Sequence, residues 1–310
     1  MHLPLTASCV VALLALAGPA LAQDEPLEVD VSGRQVNVMG RDLPPMPAFP
    51  PLEPIAGKVR GHAFDLAGKP LASVQLGVRS SAIGGASSGA QGTTDDKGYF
   101  EFDVPMGACE FYNAGLGLDW GDGRAAVGLH PADGDCEGFA SANGVVENFV
   151  FVPYGVADLK NAQDQPQYPG NYYGGAIFVD FSVAEGRPWD LPTQLPEDAA
   201  IEVTLTPAAP LIDGTAGRPI VLKRKAADGG FYALNLPLTP KYTMTAKLAD
   251  GTVLTLKEVG PYGSQPFGLT PKEAKGEATL VFRPTSAKAD AALPSHGNWQ
   301  SVDVMLGKPE

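Results

Sequence analysis

The sequence predicts an all-β protein that consists of two tandem antiparallel β-sandwich domains. Outside the first 22 residues, no stretch keeps the i, i+3, i+4, i+7 spacing of apolar residues that an amphipathic helix needs. Short alternating apolar segments are separated by turns instead, and the chain holds 37 glycines and 29 prolines that suit those turns. Many short strands of this kind are typical of sandwiches.

A ten-residue pattern occurs twice. Residues 96–105 read DKGYFEFDVP, and residues 228–237 read DGGFYALNLP. Each copy predicts a tight turn closed by Gly98 or Gly230, followed by a strand of alternating side chains. A proline then ends the strand, because it has no N–H to donate to a neighbour. The same sandwich unit is therefore expected twice.

Residues 1–22 are predicted to be a secretory signal peptide. Residues 3–22 carry no charged side chain, and an apolar core over residues 10–16 leads to Ala20-Leu21-Ala22, a small-x-small cleavage pattern. The apolar core is much shorter than the roughly 20 residues that a membrane-spanning helix needs. We therefore expect a secreted or periplasmic protein with no membrane insertion after signal cleavage.

Residues 23–54 are predicted to be a proline-rich N-terminal segment. Its alternating stretches at 27–31 and 35–38 favour short edge strands. Six prolines lie within residues 42–54, and this density favours an extended polyproline II spacer that does not join a central strand.

The rest of the chain divides by composition. Alternating strands predict a first sandwich over residues 55–155 and a second over residues 173–284. Residues 156–172 are rich in Gln, Asn, Asp, Pro and Gly with little apolar periodicity, which is typical of a linker. Residues 285–310 form a C-terminal segment, in which the alternating stretch 299–306 predicts a last strand that returns to one of the sheets.

Three segments of the first sandwich carry a family resemblance. Residues 57–65 read GKVRGHAFD, residues 68–76 read GKPLASVQL, and residues 93–107 read TTDDKGYFEFDVPMG. In these turn and core residues the chain resembles the carboxypeptidase regulatory-like domain, a transthyretin-like (prealbumin-like) sandwich, over about residues 55–155. The second sandwich resembles it more loosely, with Thr239 in place of the last glycine, so a simple Ig-like sandwich stays open there. The resemblance implies a non-catalytic secreted module.

The acidic composition argues against two classes of partner. The chain has a formal net charge of -13 and a pI near 4.7. Nucleic acids and anionic lipids are bound by basic faces, so neither is expected as a partner.

The cysteines predict a disulfide bond. Cys9 lies in the predicted signal peptide, which leaves Cys109 and Cys136, and two cysteines in an exported chain usually pair. Closing this loop would contribute about 3–4 kcal/mol in the chain-entropy model. The alternative is two unrelated buried thiols. The sequence has no Cys-x-x-Cys motif, so it does not support a redox or zinc site at these residues.

Enzymes built on related sandwiches need residues that this sequence lacks. Hydroxyisourate hydrolases resemble transthyretin but end in Tyr-Arg-Gly-Ser, whereas this chain ends in residues 305–310, MLGKPE. Intradiol dioxygenases need a His-x-His pair, but His62, His130 and His296 lie far apart in the sequence. The sequence also has no Gly-x-Ser-x-Gly elbow and no P-loop. The protein is therefore predicted not to be an enzyme, and a hydrolase-type site that the linear sequence hides is the alternative.

Five aromatic residues are the candidate ligand-binding residues: Tyr154, Tyr168, Tyr172, Tyr173 and Trp189. Rings held on loops give apolar faces with polar edges to a sugar or a partner protein. The alternative is that these rings pack the two sandwiches together.

Two acidic turns resemble calcium loops in composition. Asp119 and Asp122 lie beside glycines, and so do Asp133, Asp135 and Glu137. Neither turn fits the EF-hand spacing. No cofactor is predicted, and calcium stays open at these two turns.

The sequence therefore predicts a non-catalytic exported binding or adhesion module whose ligand is a carbohydrate or a protein. A structural cell-envelope spacer and an enzyme with a hidden site are the alternatives.

Overall fold

A computed structural model of the chain describes residues 25–82, 84–260 and 266–309. Within these residues nearly all of the regular secondary structure is β-strand, which confirms the predicted fold class. The predicted signal peptide lies outside the described residues. No helix in the described part of the chain is long and apolar enough to cross a membrane.

Twelve strands precede the one α-helix of the described residues: β1 (Leu27–Asp30), β2 (Gln35–Asn37), β3 (Lys58–Asp65), β4 (Gln75–Ser81), β5 (Ser87–Thr93), β6 (Tyr99–Asp103), β7 (Ala108–Trp120), β8 (Gly123–Gly128), β9 (His130–Pro131), β10 (Phe139–Ala140), β11 (Val145–Val146) and β12 (Phe149–Phe151). The helix α1 spans Leu159–Asp164, and short 3-10 helices span Pro169–Asn171, Ala226–Asp228 and Ala289–Ala291.

Eleven strands follow the helix: β13 (Gly175–Phe181), β14 (Ala200–Pro207), β15 (Ile220–Lys225), β16 (Phe231–Leu236), β17 (Tyr242–Leu248), β18 (Thr255–Glu258), β19 (Gly268–Thr270), β20 (Glu273–Lys275), β21 (Glu277–Val281), β22 (Arg283–Pro284) and β23 (Trp299–Gly307).

The strands of the first sandwich form two facing sheets. One sheet has the order β5-β4-β7-β8, with β10 also on β7, and the other has the order β6-β3-β12-β9, with β11 also on β3. The core between them is made of buried side chains from both sheets, among them Val59, Ala63, Leu76, Val78, Phe100, Phe111 and Phe149.

The second sandwich repeats this arrangement. Its sheets contain the orders β15-β14-β17-β21 and β16-β13-β23-β18, whose strands occupy the same places as those of the first sandwich. The chain order differs at one point, because β8 precedes β9 in the first sandwich, whereas β18 precedes β21, the counterpart of β8, in the second. The directions also match, because β3 and β13 each lie antiparallel to the strand of the repeated pattern and parallel to the last strand of their sandwich. The repeat that the sequence predicts is therefore a repeat of strand order and direction within the sheets.

Alternation along the strands decides which side chains enter the core. In β14, Ile201, Val203 and Leu205 are fully buried, whereas Glu202 and Thr204 between them are only partly buried on the opposite face. Removing one such aliphatic side chain from water contributes about 1.5–3 kcal/mol. A strand with this pattern is therefore held in register by its inward face.

The N-terminal strand segment, residues 25–38, belongs to the second sandwich. β1 lies parallel to β15 at the edge of one sheet, and β2 lies parallel to β16 at the edge of the other. Between them, the buried guanidinium of Arg224 donates to the carbonyls of Val31 and Gly33 over 2.9 and 2.7 Å. The two predicted edge strands are confirmed, and their partners lie far away in the sequence.

The proline-rich strap, residues 42–54, contains no helix or strand, but it is not a free spacer. Its Phe49 ring stacks on Phe64 with ring centroids 5.0 Å apart, and the carbonyl of Glu53 accepts from Arg60 Nη1 over 3.2 Å. The strap therefore covers the outer face of β3 in the first sandwich.

The segment predicted as a linker, residues 156–172, is also structured. Asp158 caps α1 by accepting from the backbone N–H of Asn161 over 2.9 Å. Val156 and Tyr172 pack with Leu234 on the outer face of the second sandwich. Its few apolar residues are too widely spaced to give a periodic pattern, so the sequence did not reveal this packing.

The predicted last strand is confirmed as β23, and it lies inside a sheet between β13 and β18. Before it, the C-terminal strap, residues 285–298, crosses to the first sandwich. There the buried Asn113 donates to the carbonyls of Ala289 and Ala292, each over 2.7 Å. Trp120 of the first sandwich meets Trp299 of the second with ring centroids 4.7 Å apart. One apolar core therefore runs through both sandwiches.

We expect Asn113→Ala to lower the free energy of unfolding of the whole protein by about 1–3 kcal/mol, because it removes two buried hydrogen bonds and leaves the carbonyls of Ala289 and Ala292 with only their longer 3.2 Å bonds to backbone N–H groups. Chemical denaturation followed by fluorescence measures the change. Asn143→Ala, on an exposed turn of the same sandwich, is the matched control and should change the stability by less than about 0.5 kcal/mol. Equal effects of the two substitutions would contradict this role of Asn113.

Candidate functional site

A groove of about 460 Å³ lies on the outer face of the second sandwich. Its floor is formed by Ser301 and Asp303 of β23 together with Tyr232 of β16. One wall is Tyr168 and the 3-10 helix that follows it, and the other is His296 of the C-terminal strap. Three segments distant in the sequence thus meet at this groove.

The floor follows from the alternation of β23. Val302, Val304 and Leu306 are buried in the core, so Ser301 and Asp303 must face the opposite side of the sheet. Neither is fully buried. The strand therefore presents a hydroxyl and a carboxylate on the outer face of the sheet.

The walls approach closely because two glycines permit it. A Cβ atom on Gly170 would lie 2.6 Å from the Tyr168 ring and 2.8 Å from the His296 ring, and a Cβ on Gly297 would lie 1.8 Å from the carbonyl oxygen of Tyr172. Any side chain at these positions would push the walls apart. The two rings, Tyr168 and His296, meet edge to face with centroids 6.3 Å apart.

Two polar atoms in the groove are buried without a partner. Within the described residues, neither His296 Nδ1 nor Ser301 Oγ has a hydrogen-bond partner. A buried polar group that stays unpaired costs about 1–3 kcal/mol. The residues that line the groove also include Gln300 with its amide, Asp303 with its carboxylate, and Tyr168, which is 51% exposed.

The five predicted aromatic residues do not come together. Tyr168 lines the groove, while Tyr172 and Tyr173 are buried. Tyr154 is half-buried in a separate pocket beside the N-terminal strand segment. Trp189 is 71% exposed on the loop between β13 and β14, where the guanidinium of Arg187 lies over its ring. Of the five, Tyr168 alone lines the groove.

Sequence reasoning missed His296, Ser301 and Asp303. The alternation of β23 was visible and implies that Ser301 and Asp303 share a face. The missing information was the position of His296 and Tyr168, which depends on how the C-terminal strap and the 156–172 segment fold back onto the sheet.

A second cleft, of about 1140 Å³, lies where the first sandwich meets residues 41–43 and 156–160. His130 and Ser295 line it, and His130 Nδ1 lies 2.8 Å from the buried hydroxyl of Tyr173. Burial lowers the pKa of His130 to about 4, against the opposing effect of Asp133. The imidazole is therefore neutral at physiological pH.

Glu147 is a buried acid near this cleft, only 7% exposed. Burial raises its pKa to about 8, and the negative charges of Asp133 and Asp135 act in the same direction. The side chain is therefore protonated between about pH 4.5 and 8, where an ordinary glutamate is charged. Burial also raises the pKa of the Cys136 thiol, with the charge of Glu147 next in importance.

The predicted disulfide is not formed, because Cys109 and Cys136 are both free thiols. Cys109 lies opposite Phe139 in the β7–β10 ladder, not opposite Cys136. Its Sγ atom points to the turn before β7, 3.7 Å from the carbonyl oxygen of Pro105. The alternative of two separate thiols fits the structure.

The acidic turns that suggested calcium lie apart from the groove. Asp119 is on the exposed β7–β8 hairpin, where Arg124 Nη1 lies 3.5 Å from its carboxylate. Within the ranges that the structure describes, no three His, Cys, Asp or Glu side chains are grouped in a way that suits a metal ion.

We expect Glu147→Gln to remove a pH dependence of stability. The folded pKa of about 8 lies above the ordinary value of 4.5, so the unfolded chain ionises first and the free energy of unfolding falls as pH rises through this window. The slope reaches at most about 1.4 kcal/mol per pH unit. The glutamine variant lacks this fall.

Denaturant unfolding at pH values across the window measures the difference between variant and wild type. His130 titrates in both proteins, so it cancels in that difference. The exposed Glu137→Gln is the control and should keep the wild-type profile. Parallel profiles for wild type and Glu147→Gln would mean that Glu147 is not a protonated buried acid.

No family model matches this chain, and no curated protein matches it in sequence. The resemblance to the carboxypeptidase regulatory-like domain therefore stays a prediction.

Comparison with solved structures finds distant similarity to a TIE protein and to pilins. The chain is similar to the Bacillus anthracis TIE protein, with a TM-score of 0.31 and 15% identity, over 82% of this chain and 34% of that one. It is also similar to a streptococcal ancillary pilin, with a TM-score of 0.25 and 14% identity, over 82% and 62% of the two chains. The chain therefore spans about a third of the first structure and a little under two thirds of the second.

A third similar structure is the shaft pilin SpaA of Lactobacillus rhamnosus GG. Its TM-score is 0.22 at 14% identity, and the match covers 82% of this chain and 97% of that one. TM-scores this low do not establish a common arrangement of strands, so nothing about this chain is taken from these proteins.

Proposed function

We propose that this chain is a non-catalytic exported binding module and that its groove takes a carbohydrate. One observation carries the proposal: the exposed ring of Tyr168 stands beside the unpaired His296 Nδ1 and Ser301 Oγ in one small groove. Export rests on the signal-peptide pattern of residues 1–22.

The chemistry of the groove suits a sugar. Each sugar hydroxyl both donates and accepts, and the groove offers an imidazole, a hydroxyl, an amide and a carboxylate, from His296, Ser301, Gln300 and Asp303. The face of a pyranose is apolar along its C–H groups and packs on an aromatic ring such as Tyr168. The volume of the groove lies within the range of about 300–1,000 Å³ that is usual for small-ligand sites.

A protein ligand is the second candidate, and it has a different surface. Trp189 and Leu191 are 71% and 63% exposed on one loop, and large exposed apolar side chains of this kind serve as anchors in protein interfaces. A protein partner covers about 800 Å² of each surface. We place such a partner on this loop, while the groove has the dimensions of a small ligand.

Fluorescence titration of the mature protein against cell-wall and plant polysaccharides tests the proposal. In a Trp189→Phe background the tryptophans are Trp120 and Trp299, and Trp299 lines the groove. We expect a saturable shift for at least one glycan that is unchanged by a calcium chelator. Tyr168→Ala and Ser301→Ala should each weaken binding tenfold or more, which corresponds to about 1.4 kcal/mol.

Trp189→Ala is the matched control and should leave the affinity for the glycan unchanged, as measured by calorimetry. A shift that survives Tyr168→Ala would move the binding site away from the groove. If no glycan binds, and if a protein partner binds wild type but not Trp189→Ala, the loop that carries Trp189 is favoured as the binding site instead.

We also expect the protein to leave any bound polysaccharide intact. Prolonged incubation followed by measurement of new reducing ends should give the same value as a no-protein control. Product that forms with wild type and disappears with His130→Ala would overturn the non-catalytic assignment and direct attention to the cleft that holds His130 and Ser295.

A further inference from the structure

The second sandwich is completed by a segment that lies far N-terminal, in the sequence, to the rest of that domain. The N-terminal strand segment supplies an edge strand to each of its two sheets. The whole first sandwich lies between this segment and the strands β15 and β16 with which it pairs. The segment is therefore the most distant part of its own domain along the chain.

Two buried side chains of the second sandwich, Arg224 and Asn235, bind this segment, and we call them the socket. Arg224 is 4% exposed, and its Nη1 donates to the carbonyls of Val31 and Gly33. Asn235 is fully buried, and its Nδ2 donates to Asn37 Oδ1 over 2.8 Å and to the carbonyl of Gly40 over 3.1 Å. If the segment left, these groups would lose acceptors inside the domain, which is costly for a buried cation and amide.

The socket binds mainly to backbone atoms of the segment. Three of the four acceptors named above are main-chain carbonyls, and the ladders with β15 and β16 are main-chain contacts too. Side-chain anchoring comes from Val31 and Val38, which are 3% and 8% exposed. An identical segment from another copy would satisfy each of the contacts made by residues 25–38 equally well.

At its C-terminal end the segment continues towards the first sandwich. After Gly40, which has a positive φ of 76°, the chain enters the proline-rich strap on the first sandwich. A change of backbone angles around Gly40 would redirect residues 25–38 while the strap stays in place. This is the geometry of a hinge for exchange of an element between identical chains.

We propose that residues 25–38 of one copy complete the second sandwich of another copy, so that the protein assembles by exchange of its N-terminal strands. The partner is a second copy of this chain, and the contacts are those of the monomer. The proposal does not depend on what the groove binds. Because the contacts are the same, the balance between monomer and exchanged assembly depends on concentration, and the tether favours the monomer below about the millimolar range.

Folding makes exchange accessible. The segment cannot pair until strands nearly two hundred residues later have formed. Arg224 and Asn235 are separated from their partners in the segment by 191 to 198 positions. Pairings this distant form slowly, so at high concentration a waiting segment meets the open socket of a neighbouring chain. We therefore expect exchange after refolding of concentrated protein.

Two single-cysteine substitutions test this directly. Glu28 and Val221 are register partners in the parallel β1–β15 ladder, a spacing suited to a disulfide. A Glu28→Cys chain and a Val221→Cys chain, denatured together and refolded at rising concentration, form a 28–221 disulfide only if one chain's segment lies on the other chain's β15. Peptide mass spectrometry distinguishes it from other linkages.

We expect the interchain 28–221 linkage to increase with protein concentration during refolding, in parallel with a dimer or larger species in light scattering. The Glu28→Cys/Val221→Cys double variant is the control for geometry and should close within one chain when refolded dilute. An intrachain bond in the double variant, with no interchain 28–221 bond at any concentration, would overturn the proposal. Wild type controls for the native Cys109 and Cys136.

Discussion

The position of Trp299 links the separate parts of this molecule. Its ring packs against Trp120 of the first sandwich and lies near Phe282 of the second, so the cores of the two domains become continuous there. Its Nε1 donates to the carbonyl of Tyr173 over 3.0 Å, and the hydroxyl of Tyr173 reaches His130 in the second cleft. Trp299 also lines the groove. A buried indole needs both a tight apolar environment and a partner for its N–H, and this chain meets both needs with residues from the two sandwiches.

The repeated unit is used in two different ways. The first sandwich is covered on its outer face by the proline-rich strap, whereas the second takes the N-terminal strand segment into its sheets and the 156–172 segment onto its outer face. The two sandwiches therefore provide two frameworks with similar strand orders, and they differ in the connecting segments that pack against them. The groove lies where those connecting segments meet the second framework.

Local patterns predicted the fold well because alternation and turn chemistry act over a few residues. The last strand, the two N-terminal edge strands and the repeat were all visible in this way. The candidate site was predicted less well, because closeness in sequence was used as a guide to closeness in space. Tyr172 and Tyr173 are neighbours in extended chain, so their rings point to opposite sides, one packing with Leu234 and the other with Val150. The disulfide was wrong for a similar reason, since the ladder sets Cys109 opposite Phe139.

The path of the chain also determines how the molecule would carry a mechanical load. A pull applied at the two ends of the described chain, residues 25 and 309, acts first on β1, β2 and β23, all of which belong to the second sandwich. β2, β16, β13 and β23 are consecutive neighbours in one sheet, so tension can cross the protein through four adjacent strands. The first sandwich lies outside that line, as a loop of folded chain in parallel with it. It would bear no tension until β2 or β23 left the sheet. Unfolding of the first sandwich would then add to the length over which the protein can extend.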